Sequence, residues 1–267
     1  MLVMRYLIII IALQTLLFSK YNKHMIEDIK LLESNSSSYS FTVMGDNRDR
    51  DDVLLQIIKS SNRDTDISFI INNGDLVSKG HKKEFKHYLK LINTSHKPLL
   101  SLLGNHELTI SKDDKNYKYY FGKVNFSFSF NDSYFIVFDD VRFTKMRKKD
   151  KYWLKKELKK SLKYKYRFVF IHIPLYDPRY GRYIMAHSLK NIKDIHYLSK
   201  IFDKYKVTML FTSHIHSYFR GYWHKTPFIL TAGAGAPLKD GGFFHYIKVK
   251  IRDNRVSYQI VPINIRP

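Results

Sequence analysis

The strongest constraint in this chain is a series of apolar runs, each of which stops at a residue able to bind a cation. FTVM (41–44) leads into Gly45-Asp46, ISFIINN (67–73) into Gly74-Asp75, and PLLSLL (98–103) into Gly104-Asn105-His106-Glu107. YRFVFI (166–171) leads into His172, and VTMLFTS (207–213) into His214-Ile215-His216. Short apolar runs bounded by glycine or polar residues read as buried strands. Between the first three, DDVLLQIIKSS (51–61) sets Val53, Leu54, Ile57 and Ile58 on one helical face. HKKEFKHYLKLI (81–92) does the same with Phe85, Leu89 and Ile92. Strand–helix–strand alternation predicts βαβ units and a largely parallel sheet. Ligands of parallel sheets bind at the carboxyl ends of the strands, so these distant residues are expected to converge on one edge.

The converging set is Asp46, Asp75, Asn105, His172, His214 and His216. Mixed oxygen and imidazole donors suit zinc, manganese or iron and suit calcium poorly. Six donors exceed the need of one ion, but suit two ions about 4 Å apart that share a carboxylate. His214 and His216 would project to one face if that stretch stays extended. A glycine precedes three of the ligand positions, where a sharp turn and a close backbone approach are useful. The chain has no cysteine, which excludes a disulfide framework, a thiolate zinc site and a cysteine nucleophile.

The rest of the chain supplies further elements. FSFSF (126–130) alternates strictly and SYFIVFDD follows after Asn131-Asp132, a hairpin pattern. KYWLKKELKKSL (151–162) carries Leu154, Leu158 and Leu162 on a narrow stripe among lysines. Such a helix is expected to pack on a sheet with a solvated lysine face, and an anionic membrane surface is its alternative partner. PFILTAGAGAP, FFHYIKVKI and RVSYQIVPI read as the last strands. The opening stretch MLVMRYLIIIIALQTLLFSK (1–20) fits a signal peptide or a short membrane anchor, which implies export to the periplasm, the cell surface or the medium. Residues 21–40, with the serine-rich ESNSSSYS, read as a polar linker, and the globular domain as 41–267. The formal charge of +22 favours anionic partners. Nucleic acid is the weaker reading, because no aromatic-rich nucleic-acid module is evident. No protein partner is implied.

The ordered motifs GDNRD, GDLVS, GNHE, HIP and SHIH resemble those of the calcineurin-like metallophosphoesterase family, over about 41–240. WLKKEL before His172 and TAGAGAP near the end are similar to softer features of the same family. The resemblance implies an α/β fold, a four-layer αββα sandwich. It implies a hydrolase of phosphate monoesters or diesters that uses two transition-metal ions and a metal-activated water. By the same resemblance Asp75 would bridge both ions. Asn105, His172 and His214 would complete one site, and Asp46 and His216 would serve the other. His106 would act as general acid or charge stabiliser, oriented by Glu107. A nuclease of the same family, and a catalytically weak binding protein that kept the fold, are the competing readings.

Two positions depart from the family pattern. Arg48 stands where many members carry a histidine ligand, and arginine has donors only and cannot ligate. Arg48 is expected to bind substrate phosphate through its planar fork. Alternatively Asp49 or Asn47 stands in as ligand, or the site is weak. Ser213 replaces the usual glycine before H-x-H, with little effect expected. The tyrosine of purple acid phosphatases is Ser78 here, so no tyrosinate-iron colour is expected. The loop LYDPRYGRYIMAHSLK (175–190) is expected to overhang the metals and contact substrate through Arg179 and Arg182. His187, His196, His224 and His245 carry no motif and read as structural or surface residues.

Overall fold

The computed structural model describes residues 21–33, 38–110, 112–142, 144–180, 186–239 and 241–265. The first described element, α1 (Tyr21–Leu31), precedes strand β1 (Tyr39–Met44), helix α2 (Asp51–Arg63), β2 (Ile67–Asn72), α3 (Lys82–Ile92) and β3 (Leu99–Ser101). A short helix α4 (Lys115–Phe121) leads to the hairpin β4 (Phe126–Phe130) and β5 (Ser133–Val137), then α5 (Lys148–Lys160) and β6 (Tyr166–Phe170). Helix α6 (Ile192–Lys204) is followed by β7 (Met209–Thr212), β8 (Tyr218–Trp223), β9 (Thr226–Thr231), β10 (His245–Arg252) and β11 (Arg255–Pro262).

The strands form two sheets, ordered β11-β10-β1-β2-β3 and β4-β5-β6-β7-β9-β8. β1, β2 and β3 pair in parallel, as do β5, β6, β7 and β9. The hairpins β4-β5, β8-β9 and β10-β11 close the sheets in antiparallel pairs. One core lies between the sheets. Phe41 and Phe69 stack there at 5.4 Å, and Phe135 and Phe168 meet Phe41 edge-on. A second core lies under α2, α3 and α4, with Ile57, Phe85 and Tyr117. A third lies under α5 and α6, with Leu154, Leu158 and Leu198. Sheet faces buried on both sides explain why the central strands are continuous apolar runs rather than alternating ones. This is the expected αββα sandwich.

Three sequence expectations need correction. Residues 21–31 are not linker. They form α1, which buries Ile29 in the inter-sheet core. Asn22 Nδ2 donates to Ser101 O at 2.8 Å and Asn22 Oδ1 accepts from Ser101 N at 3.0 Å. A side-chain amide thus pairs the exposed edge of β3, and the helix packs on the edge strands of both sheets. β1 begins at Tyr39, two residues before the expected domain start. Leu162 falls outside α5, in a 3₁₀ turn over Ser161–Lys163, and is 55% exposed, because the turn rotates it off the stripe of Leu154 and Leu158. The signal or anchor expected at 1–20 lies outside the described residues. Among the described residues no helix is long and apolar enough to cross a membrane.

Ile29→Ala is expected to destabilise the fold by about 2–4 kcal/mol through lost burial and a cavity. Asn22→Ala is expected to cost about 1–3 kcal/mol by leaving the buried Ser101 N–H unpaired, while Ser101 O keeps the Tyr117 hydroxyl. The urea midpoint checks both, and midpoints equal to the parent's would return 21–31 to the status of a linker.

Candidate metal centre

The loops leaving β1, β2, β3, β6 and β7 meet at one end of the sandwich. Backbone bonds lock the first two together: Asp46 N donates to Gly74 O at 2.9 Å and Asn73 N to Met44 O at 2.7 Å. The TAGAGAP segment closes on the same loop, with Ala236 N donating to Asp46 O at 2.7 Å. Asp46 (φ 58), Asp75 (φ 55) and His214 (φ 72) all adopt the left-handed backbone conformation. Each such residue costs of order 1–3 kcal/mol, and strain of this kind gathers at functional sites. His214 therefore leaves the strand in a turn, so the H-x-H pair converges by turn geometry and not by staying extended. Gly104 carries no side chain because a Cβ there would collide with the Asp75 backbone and carboxylate.

Among the described residues two clusters of donor atoms result, each with its atoms within 4.8 Å of one another: Asp75, His172 and His214, and Asp46, Asp75 and His216. Asp75 is common to both. Asn105 joins the first, its Oδ1 lying 3.1 Å from His172 Nε2. The tautomers follow from the carbonyls behind the rings. His172 Nδ1 donates to Asn73 O at 2.9 Å and His216 Nδ1 to Pro237 O at 2.7 Å. In the neutral rings each Nε2 therefore turns a lone pair inward. His172 Nε2 meets two further acceptors, Asp75 Oδ1 at 3.3 Å and Asn105 Oδ1. His216 Nε2 meets Asp46 Oδ1 at 3.4 Å, an oxygen that is buried without a hydrogen-bond partner. Acceptor atoms that converge in this way from several loops fit a cation.

The electrostatics of the first cluster favour positive charge within it. Burial works against a charged His172, yet the Asp75 carboxylate outweighs it and pushes the ring up to about 10. Burial and the charge of His172 push His214 down to about 3, which leaves a neutral imidazole. Burial alone would raise Asp75, but His172 and His106 hold it below the usual carboxylate range.

Glu107 does not orient His106 as expected. Its buried carboxylate accepts backbone N–H groups of Asp75 (3.1 Å), Leu76 (2.8 Å), Val77 (3.1 Å) and Gly104 (2.6 Å). Burial and the Asp75 charge push its carboxyl above the usual range, while N–H groups including those of Gly104 and Val77 pull the other way. His106 is aimed by Ser78 instead, its Nδ1 donating to Ser78 O at 2.7 Å, and its Nε2 lies 3.8 Å from Asp75 Oδ2. Neither stand-in ligand serves. Asn47 spends its amide on Leu76 O and Asn72 Nδ2, and Asp49 spends its carboxylate on Arg48 and Ser78. Ser213 is accommodated as expected, its Oγ donating to Thr231 O at 2.8 Å. A Cβ on Gly45 would collide with that hydroxyl.

The clusters open into a cleft of about 320 Å³ lined by Arg48, His106, Arg179, His187, His214 and Lys239, among others. Arg179 is in the cleft as expected, clamped through Nε (3.0 Å) and Nη2 (2.8 Å) by the buried Asp177. Arg182 lies outside the described residues. His187, set aside as motif-free, faces His214 with ring centroids 6.4 Å apart. Lys239, Asn73 and Asp140 were also missed. Asp140 accepts the backbone N–H groups of His172 (3.0 Å) and Ile173 (2.9 Å), and burial pushes it up to about 7. The doubled aspartate that ends FIVFDD was the only sequence signal for it.

A family model described as calcineurin-like phosphoesterase matches residues 39–218. Solved structures share the fold at low identity. GAP50, the anchor in the inner membrane complex of Plasmodium, aligns at 15% identity over 84% of both chains with a TM-score of 0.64. The purple acid phosphatase PPD1 from yellow lupin (Lupinus luteus) seeds aligns at 15% identity with a TM-score of 0.62, over 84% of this chain and 52% of that one. A putative 5'-nucleotidase from Staphylococcus aureus aligns at 13% identity with a TM-score of 0.53, over 86% of this chain and 55% of that one. This chain thus spans about half the length of the latter two. No curated protein matches it at the sequence level.

Glu107→Gln puts an amide NH₂ against backbone donors. It is expected to cost at least about 2 kcal/mol in denaturant stability, and to weaken metal binding about 10- to 100-fold, as outer supports of metal ligands do. Calorimetric titration with Mn²⁺ checks the second figure. Unchanged affinity would mean that Glu107 does not hold the site.

Proposed function

Since the chain belongs to the calcineurin-like phosphoesterase family, we propose that it is a metal-dependent hydrolase of phosphate esters, acting on monoesters or diesters. The observation that carries this reading is the Asp75 carboxylate shared by two clusters of inward-facing donors. Asp75, Asn105, His172 and His214 would hold one ion, and Asp46, Asp75 and His216, with Arg48 beside them, would offer a second and weaker site. The mixed oxygen and nitrogen donors point to manganese, iron or zinc. When bound, the ions supply a water acidified to near neutral pH and positive charge for the phosphoryl oxygens.

The chain's own side chains account for the remaining roles. His106, its Nδ1–H spent on Ser78 O, turns Nε2 toward the cleft, where it would pass a proton to the leaving oxygen or steady its charge. Arg48, Arg179 and Lys239 make the cleft cationic, which favours a phosphate anion over neutral ligands. The Asp177 clamp fixes Arg179 before substrate arrives, so less side-chain entropy is lost on binding. The apolar stretch 1–20 would take the enzyme out of the cytoplasm, and the +22 charge would hold it near anionic surfaces. A second reading, a binding protein that kept the fold, is favoured only by Arg48 beside the Asp46 cluster.

The test is hydrolysis of a generic phosphomonoester and a generic phosphodiester by the manganese-loaded full chain. His214→Ala is expected to abolish turnover. His106→Asn is expected to lower kcat by about 10²- to 10⁴-fold with metal content retained. A folded, metal-loaded protein that hydrolyses neither ester would favour the binding-protein reading.

A further inference from the structure

The two donor clusters are not equivalent, because one of them already contains a cation. Arg48 extends into the cluster of Asp46, Asp75 and His216. Its Nη2 lies 3.5 Å from His216 Nε2, and its Nε lies 4.0 Å from Asp75 Oδ2. The side chain is 14% exposed, and Nε is buried with no hydrogen-bond partner. The His216 nitrogen facing the guanidinium carries the inward lone pair set by Pro237 O.

The guanidinium is also held there. Nη1 donates to Asp49 Oδ2 at 2.6 Å, and Ser78 Oγ donates to Asp49 Oδ1. Asp49 makes this contact from a left-handed backbone conformation, φ 75. A strained residue thus presents a carboxylate that steers Arg48 over the cluster. Among the described residues no such group enters the other cluster. The contacts of Asp75, Asn105, His172 and His214 leave their donor atoms facing one another.

Building on the reading of these residues as metal ligands, we propose that Arg48 is a built-in cation of the Asp46–Asp75–His216 cluster. The chain keeps one tightly held metal ion, at Asp75, Asn105, His172 and His214. Arg48 competes with an ion for the other cluster, because two cations a few ångströms apart repel strongly where water is scarce. The phosphate ester then meets one exchangeable and one covalently attached positive charge. A planar fork suits the second role, since it can bind two phosphoryl oxygens at once.

The experiment is a metal count independent of turnover. The full chain is stripped with chelator and titrated with Mn²⁺, free ion is followed by electron paramagnetic resonance, and bound metal is measured by elemental analysis after desalting. The parent is expected to retain one equivalent. Arg48→Met keeps the aliphatic stem without the charge. It is expected to retain two equivalents, to bind the second at least tenfold tighter than the parent, and to show the signal of a spin-coupled pair. Arg48→Lys keeps the charge and is expected to stay at one. Arg48→Gln replaces Arg48→Met if that variant fails to fold by circular dichroism. Two tight equivalents in the parent, or one in both neutral variants, would overturn the inference and leave the hydrolase reading intact. No tight equivalent in the parent would overturn both.

Discussion

The candidate centre depends on a buried carboxylate that touches no substrate. Glu107 gathers the backbone N–H groups of Asp75, Leu76, Val77 and Gly104, and so ties the loop after β2 to the loop after β3. A carboxylate taken out of water needs several donors, and these loops need an acceptor for N–H groups that no strand pairs. Each solves the other's problem. The outcome is an Asp75 held in a left-handed turn, with its side chain fixed between two clusters.

The sandwich brings the remaining donors to Asp75 from both sheets. Asp46, Asp75 and Asn105 come from the ends of β1, β2 and β3, and His172, His214 and His216 from the ends of β6 and β7. Single polar side chains stitch the two ends together. Asn73 Nδ2 donates to Ile171 O at 2.9 Å, while Asn73 O accepts from the His172 ring. His214 N donates to Asp46 Oδ2 at 3.0 Å. The site is therefore an inter-sheet contact, and the stacked phenylalanines between the sheets set the distance across which it forms.

Much of this was legible along the chain. Apolar runs ending in Asp, Asn and His marked both the strands and the side chains that gather at the candidate site, and the helical faces of α2 and α3 fell at the expected positions. The errors share a cause. Residues 21–40 looked like linker because α1 has few apolar residues, yet the helix is recruited by the unpaired edge of β3. Leu162 continued a helical stripe that the chain had already left. Glu107 neighbours His106 in sequence, but its partners are the amides of two loops. His187 had no motif, and was brought to the cleft by Asp177, whose Oδ2 accepts its backbone N–H at 2.8 Å.

The sequence by itself determined the strand and helix order, the two-sided burial of the central strands and the inventory of cation donors. These follow from local periodicity and from residue chemistry, which each stretch of chain carries on its own. Only the tertiary structure decided which carboxylate joins the donor clusters and which holds backbone, which carbonyl sets each imidazole's tautomer, and where the Arg48 guanidinium rests. Those choices depend on polar partners from other strands and loops, and the partner of a buried polar group is defined only once the sheets have packed.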